Sequence, residues 1–331
     1  PLPSAPAKQA QMEHAASGQL QRWAARLQRA ADAFAVLPGF TSLSRGVAMR
    51  AERMEKRQFT VTLFGAFSAG KSSFANALLG HRLLPVSPNP TTAAVNKILP
   101  VDAEHPHGTV RVQLKDGAML LEDINRALAA YGEVAATLSE ARQKAGKIAG
   151  RTDGHSLQQA FLRAFCEGYA ELAERAGTVL ETDLTGFSQY AAAEEKSCFV
   201  EWIALYYDCP FTRQGITLVD TPGADSVNAR HTETAFSFIR NADVILFVTY
   251  YNHAFSHADR EFLLQLGRVK DAFQLDKMFF VVNAIDLADN EAEQTEVVSY
   301  VRHQLQRYGV QQPQLYALSS QSLLQEKERG E

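Results

Sequence analysis

Three short stretches of the chain carry residue types at spacings suited to a nucleoside triphosphate. Gly65-Ala66-Phe67-Ser68-Ala69-Gly70-Lys71-Ser72 fits G-x-x-x-x-G-K-[ST] in full, and Ser73 follows. Glycines in such a loop let successive backbone N–H groups turn inward around phosphate oxygens. A helix starting at the loop adds its partial positive charge. Lys71 is expected to reach the β- and γ-phosphates, and the Ser72 hydroxyl to ligate Mg²⁺. The second stretch is Asp220-Thr221-Pro222-Gly223, a D-x-x-G tetrapeptide behind the apolar run Ile216–Val219. Asp220 is expected in the Mg²⁺ shell, and the Gly223 N–H is expected to face the γ-phosphate.

The third stretch is Asn283-Ala284-Ile285-Asp286 after the apolar run Met278–Val282. It matches N/T-K-x-D except that Ala284 replaces the lysine. The Asp286 carboxylate suits guanine, whose N1–H and 2-amino group donate, whereas adenine would leave it unpaired. Sites of this kind discriminate by about 10⁴–10⁵. Loss of the lysine stem, which covers the base plane, is expected to weaken affinity more than specificity. Between the first two motifs lies Leu84-Pro85-Val86-Ser87-Pro88-Asn89-Pro90-Thr91-Thr92-Ala93. A switch loop there must supply a Thr to Mg²⁺ and the γ-phosphate. Thr92 is the first choice and Thr91 the reserve.

The positioning elements follow from periodicity. Phe59, Val61 and Leu63 alternate along a strand running into Gly65. Further strands are expected near Val95–Pro100, Val110–Leu114, Cys198–Tyr207, Ile216–Val219, Val244–Thr249, Met278–Val282 and Gln314–Leu318. A Lys115-Asp116-Gly117 turn follows the third of these. Helices fall between most of the strands. One near Glu291–Tyr308 carries Val297, Val301, Leu305 and Tyr308 on one face and ends at Gly309. The pattern predicts an α/β fold: a P-loop domain with a mostly parallel sheet and helices on both faces. Cys198–Tyr207 and Ile216–Val219 are expected to form an antiparallel edge hairpin. Residues 121–195 read as a helical insertion, a separate lobe outside the sheet order.

Ahead of the first strand, Met12, Ala16, Leu20, Trp23, Leu27, Ala31 and Phe34 mark one stripe of a helix over residues 7–37, stopped by Pro38-Gly39. A second short helix aligns Leu43, Val47, Ala51 and Met54. Residues 1–56 therefore form a helical segment, residues 57–320 the nucleotide domain, and residues 321–331 begin another helix. Trp23 and Trp202 read as packing residues.

Composition limits the alternatives. The 331 residues hold 33 Lys and Arg against 37 Asp and Glu, a net charge of −4, which argues against a bulk nucleic-acid binder. The hydrophobic share of 46% is ordinary for a globular chain, and no apolar run nears the roughly 18–20 residues of a membrane span. The N-terminus shows no signal-peptide pattern, and the missing initiator Met suggests a piece of a longer chain. The three cysteines, Cys166, Cys198 and Cys209, show no metal spacing and read as free thiols. His253 and His257 stand four apart, but Ser256-His257-Ala258-Asp259 reads better as a helix N-cap with an acid at the third position. The basic cluster Arg45–Arg57 reads as a solvated helix face.

Taken together these residues resemble the dynamin superfamily, most closely its bacterial members. The resemblance rests on Ser68-Ala69-Gly70-Lys71-Ser72-Ser73, on Asn76-Ala77-Leu78-Leu79-Gly80, on Pro90-Thr91-Thr92 and on the large domain preceded by helices. It covers roughly residues 57–320. The wording Asn283-Ala284-Ile285-Asp286-Leu287-Ala288 is similar to the second head of two-headed members. The resemblance implies a GTP-hydrolysing head and a helical neck, with residues 1–56 as the neck segment and residues 321–331 the start of its C-terminal helix. It implies Gly65, Ala66, Phe67, Ser68, Ala69, Gly70, Lys71, Ser72, Ser73, Gly223, Asn283, Asp286, Ser319 and Ser320 around the nucleotide. Ser72, Thr92 and Asp220 would surround Mg²⁺, and Ser68, Lys71 and Thr92 would serve catalysis. Phe67 replaces a polar residue of eukaryotic dynamins. Ala224 stands where Ras-type enzymes carry a water-orienting Gln. The family instead completes its site by pairing two heads across the nucleotide face, so a homodimer or paired head is expected. The resemblance further implies a cytoplasmic protein at the inner face of the membrane, meeting lipid through parts outside this chain, with no nucleic-acid partner. A low-turnover nucleotide-binding regulatory module and an Era-like switch GTPase remain as alternatives.

Overall fold

A computed structural model describes residues 5–66, 68–86, 94–151, 156–223, 241–268 and 277–330. The chain divides into two compact units. One comprises Pro1–Phe59 with Gln214–Ile216, and the other Thr60–Arg213 with Thr217–Glu331.

The smaller unit is built on a helical hairpin of α1 (Ala5–Ala35) and α2 (Thr41–Glu55). The turn between them uses Gly39 at φ +85°, a conformation costly for a residue with a Cβ. Ser44 Oγ donates to Ala31 O across the hairpin at 2.9 Å, and the Phe34 and Phe40 rings stack at 5.9 Å. Ala24, Ala31 and Ala51 are buried in it. The expected stripe is displaced by one residue at Trp23. Ala24 occupies the buried position, while Trp23 is 45% exposed under the Arg26 guanidinium. Small alanines at the contact let two helices approach closely and leave no room there for an indole.

The larger unit holds a nine-stranded sheet: β1 (Phe59–Phe64), β2 (Val95–Leu99), β3 (Val110–Leu114), β4 (Val179–Thr182), β5 (Val200–Tyr206), β6 (Ile216–Asp220), β7 (Val244–Tyr250), β8 (Met278–Asn283) and β9 (Gln314–Leu318). Their order is β4-β3-β5-β2-β6-β1-β7-β8-β9. Pairs β1/β7, β7/β8, β8/β9 and β2/β5 are parallel. Pairs β2/β6, β3/β5 and β3/β4 are antiparallel. Side chains of one strand go to opposite faces, and the two hydrophobic cores follow that alternation. Leu63, Leu246 and Val248 pack into one core; Phe64, Ile245, Phe247, Phe280 and Val282 pack into the other.

Three expectations are corrected here. β5 and β6 do not form an edge hairpin, because β2 lies between them, parallel to β5 and antiparallel to β6. Residues 121–195 are not a separate lobe outside the sheet. They contribute β4 to its edge, paired with β3. Their helices also cover the sheet: Ile124, Leu128, Ile148, Leu162, Phe165 and Phe187 share one core with Val110, Val112, Ile203 and Leu205. Lys115-Asp116-Gly117 starts a helix rather than a simple turn. Asp116 caps Gly117–Ala129 by accepting the Met119 N–H at 2.7 Å. Cys198 and Cys209 are buried free thiols and Cys166 is partly exposed. Burial pushes the Cys198 thiol up to about 12.

Candidate functional site

The carboxyl ends of parallel strands β1, β7, β8 and β9 open onto one edge of the sheet, where ligands of open α/β sheets bind. A cavity of about 840 Å³ lies there. The loop after β1 forms its floor. Gly65 sits at φ +146° with its Cα against the Val248 carbonyl, an approach that a Cβ would block. Gly70, at φ +81°, precedes helix α3 (Lys71–Leu79), and a Cβ there would overlap the Asn283 side-chain amide. Ser68 is exposed in the left-handed region at φ +63°. Ala66, Ser68, Ala69, Gly70, Lys71, Ser72 and Ser73 line the cavity. Gly65 stands behind this wall, and Phe67 lies outside the described residues.

Lys71 is 7% exposed, and its ammonium donates to Gly65 O at 3.0 Å and Ala66 O at 2.8 Å. Ser72 Oγ donates to Asp220 Oδ2 at 2.6 Å, joining the start of α3 to the end of β6. Asp220 is 1% exposed, and its Oδ1 has no hydrogen-bond partner among the described residues. Burial pushes its carboxyl above the ordinary range, while Lys71 and the Ser72 hydrogen bond pull the other way. A buried hydroxyl–carboxylate pair with one free oxygen fits the donor set of a hard divalent cation such as Mg²⁺. Gly223 and Thr221 line the same cavity, Thr221 held by its hydroxyl donating to Leu63 O at 2.7 Å.

Asn283 ties three loops together. Its Nδ2 donates to Ala69 O at 3.2 Å and Gly70 O at 3.4 Å. Its Oδ1 accepts the Ala284 N–H at 2.9 Å, the Ser320 N–H at 3.1 Å and the Ser320 hydroxyl at 2.6 Å. Ala284 sits at φ +62°, starting the short turn that places Asp286, exposed, on the cavity wall. Ser319 caps the helix Ser320–Arg329, accepting the Ser322 N–H at 3.2 Å. Ser319 and Ser320 both line the cavity. That helix packs on α3, and Lys327 donates to the Ala77 and Leu78 carbonyls at 2.8 and 3.1 Å.

Thr91, Thr92 and Ala224 lie outside the described residues. The chain leading to the two threonines is fixed by Asn76. That side chain accepts the Leu83 and Leu84 N–H groups and donates to Leu84 O, which leads Pro85 and Val86 into the cavity wall.

Several wall residues were given no role at the nucleotide by the sequence motifs: Val86, Thr221, Tyr250, His253, Asp259 and Leu287. Ser256 and Asp259 form the expected reciprocal cap of the helix His257–Arg268. The Ser256 N–H donates to Asp259 Oδ2 at 2.8 Å, and the Asp259 N–H to Ser256 Oγ at 3.3 Å. The cap motif did not reveal that the other carboxylate oxygen, Oδ1, accepts the Ala66 N–H at 3.3 Å. Among the described residues no group of three or more His, Cys, Asp or Glu is arranged to hold a metal, which leaves His253 and His257 outside any such cluster.

The strand order and the G-x-x-x-x-G-K-[ST] loop between β1 and α3 define a P-loop domain of the α/β class. The comparisons narrow this. The Dynamin family model matches residues 61–285. Dynamin-like protein A of Bacillus subtilis (strain 168) is 43% identical over 277 residues, covering 83% of this chain and 23% of the relative. A bacterial dynamin-like protein of Nostoc punctiforme is 24% identical over 253 residues, covering 75% of this chain and 28% of the relative. Among solved structures, an oligomerised bacterial dynamin pair, described as providing a mechanism for the long-range sensing and tethering of membranes, aligns with a TM-score of 0.65. It is 17% identical and covers 94% of this chain and 48% of that one. The chain belongs to the dynamin family. It spans less than a third of the length of either relative.

Proposed function

We propose that this head binds GTP with Mg²⁺, hydrolyses it to GDP and phosphate, and reaches full activity when two heads pair across the nucleotide face. The observation that carries the reading is the Ser72–Asp220 hydrogen bond of 2.6 Å beside the buried Lys71, with Asp220 Oδ1 left over. When bound, Mg²⁺ neutralises charge on the β- and γ-phosphate oxygens. Ser72 and Asp220, with Thr92 from the switch segment, would hold it.

The chain's own residues do the rest. The N–H groups from Ser68 to Ser72 hold the phosphates at the start of α3. Lys71 keeps its bond to the Gly65 carbonyl and exchanges the Ala66 carbonyl for phosphate oxygens. Asp286 accepts from guanine N1–H and the 2-amino group, in a turn braced by Asn283 and Ser320. Ala224 cannot orient the attacking water. Preorganised donors at such a point are worth roughly 3–4 kcal/mol each in other enzymes. Pairing of heads would bring fixed donors of the partner head to the nucleotide and exclude bulk water.

In the longer protein the cycle would drive membrane remodelling from the cytoplasmic face, with lipid contacts made by parts outside this chain. Among the described residues no helix is long and apolar enough to cross a membrane. Light scattering with GDP and aluminium fluoride tests the pairing, alongside phosphate release at rising protein concentration. Expected are a dimer with the analogue and specific activity that climbs with concentration. A monomer throughout, with activity strictly proportional to enzyme, contradicts it.

A further inference from the structure

The Asp259 carboxylate does more than cap a helix. Its Oδ2 takes the Ser256 N–H, the Ser256 hydroxyl at 3.0 Å and the Thr249 hydroxyl at 3.2 Å. That alone would satisfy a cap. The caps at Asp116, Thr137, Asp183 and Asn290 use exposed side chains, and the buried cap at Ser319 is an uncharged hydroxyl. Asp259 is 1% exposed, a costly place for a carboxylate. The oxygen that the cap does not need, Oδ1, faces the first turn of the phosphate loop and accepts the Ala66 N–H.

That N–H belongs to the Gly65–Ala66 peptide. In a trans peptide the N–H and C=O point in opposite directions, and the chain has no cis peptide bonds among its described residues. The other end of this peptide plane is Gly65 O, which accepts Lys71 Nζ at 3.0 Å. Asp259 and Lys71 therefore hold the two ends of one peptide unit. At Gly65 itself a Cβ would run into Val248 O, so β7 crowds the start of this peptide. The next residue of β7, Thr249, donates to Asp259 and accepts the Phe255 N–H at 3.0 Å.

We propose that Asp259 is a positioning residue for nucleotide binding: through the Gly65–Ala66 peptide it sets where Lys71 stands beneath the phosphates. This rests on the GTP reading above.

The test measures affinity of the full chain for GTP, GDP and GMP, and steady-state GTP hydrolysis. The variants are Asp259→Ala, Asp259→Asn and, as a cap control, Asp183→Ala at the helix Leu184–Ala192. Affinity for GDP and GTP is expected to fall at least ten-fold in Asp259→Ala, with a rise in KM and a drop in kcat. GMP affinity should stay within two-fold, because GMP has no β-phosphate for Lys71. Asp259→Asn, left with one acceptor oxygen where the carboxylate uses two, should lose less than alanine but at least three-fold. It also decides the matter if the alanine variant does not fold. Asp183→Ala should lower the unfolding temperature without moving any nucleotide parameter. Unchanged GDP affinity in the folded Asp259 variants overturns the proposal, as does an equal loss for GMP. A wild-type protein that binds GDP no better than GMP overturns the GTP reading itself.

Discussion

Replacing Asn283 with alanine should separate the architecture of the site from its chemistry. Asn283 is 3% exposed, and its Oδ1 accepts from Ala284 N, Ser320 N and Ser320 Oγ. Alanine leaves the buried Ser320 N–H and the part-buried Ala284 N–H without their acceptor, while the Ser320 hydroxyl can rotate to another. Orphaned buried donors cost roughly 1–3 kcal/mol each, so a loss of about 2–4 kcal/mol is expected after partial rescue by water. For a domain of this size each kcal/mol moves the midpoint by about 2–4 °C, so thermal unfolding should fall on the order of 5–10 °C. Ser320→Ala removes a single side-chain donor and should cost only about 0.5–1.5 kcal/mol. Asn283→Asp keeps an acceptor for Ser320 but turns a carboxylate toward Ala69 O and Gly70 O. It should lose GDP affinity out of proportion to its stability. Calorimetry and GDP titration of the three variants provide the readout. An Asn283→Ala protein that unfolds within about a degree of wild type and binds GDP equally would refute the tie between the three loops.

Further outcomes follow from single residues. Lys71→Ala should abolish phosphate release and weaken GTP binding, and unchanged release would remove Lys71 from the site. Asp286→Asn should shift preference toward xanthosine triphosphate, whose C2 oxygen can accept from the new amide; competition titrations of GTP against that nucleotide check it. Burial raises the Cys166 thiol and pushes the Cys198 thiol up to about 12. At pH 8 a folded sample should therefore be alkylated at Cys166 first and slowly, and at Cys198 only on unfolding. Rapid labelling of Cys198 in the folded state would contradict its burial.

What could be read from the sequence depended on how local the determining contacts are. The phosphate loop is one strand, one turn and one helix within residues 59–79, and its spacing alone located it. β3 and β9 were legible to the residue from alternation. The neighbours of β5 were not, because its parallel pairing with β2 is fixed by chain distant in sequence. β4 is only four residues, Val179–Thr182, between helices, too short for alternation to stand out. Trp23 was misplaced because periodicity marks an apolar stripe without showing which member meets the facing helix. At the site, Asn283 was legible as part of a motif, but its bond to Ser320 was not. The Asp259–Ala66 contact joins residues 193 apart. No local pattern encodes it, although the cap that buries the carboxylate was written in Ser256-His257-Ala258-Asp259.

The most direct test of the GTPase reading is phosphate release by the full chain supplied with GTP or ATP, with and without Mg²⁺. The expected result is Mg²⁺-dependent release from GTP that rises with protein concentration, little release from ATP, and none from either nucleotide in Lys71→Ala. Equal release from ATP and GTP, or release that persists without Mg²⁺ and without Lys71, would contradict it.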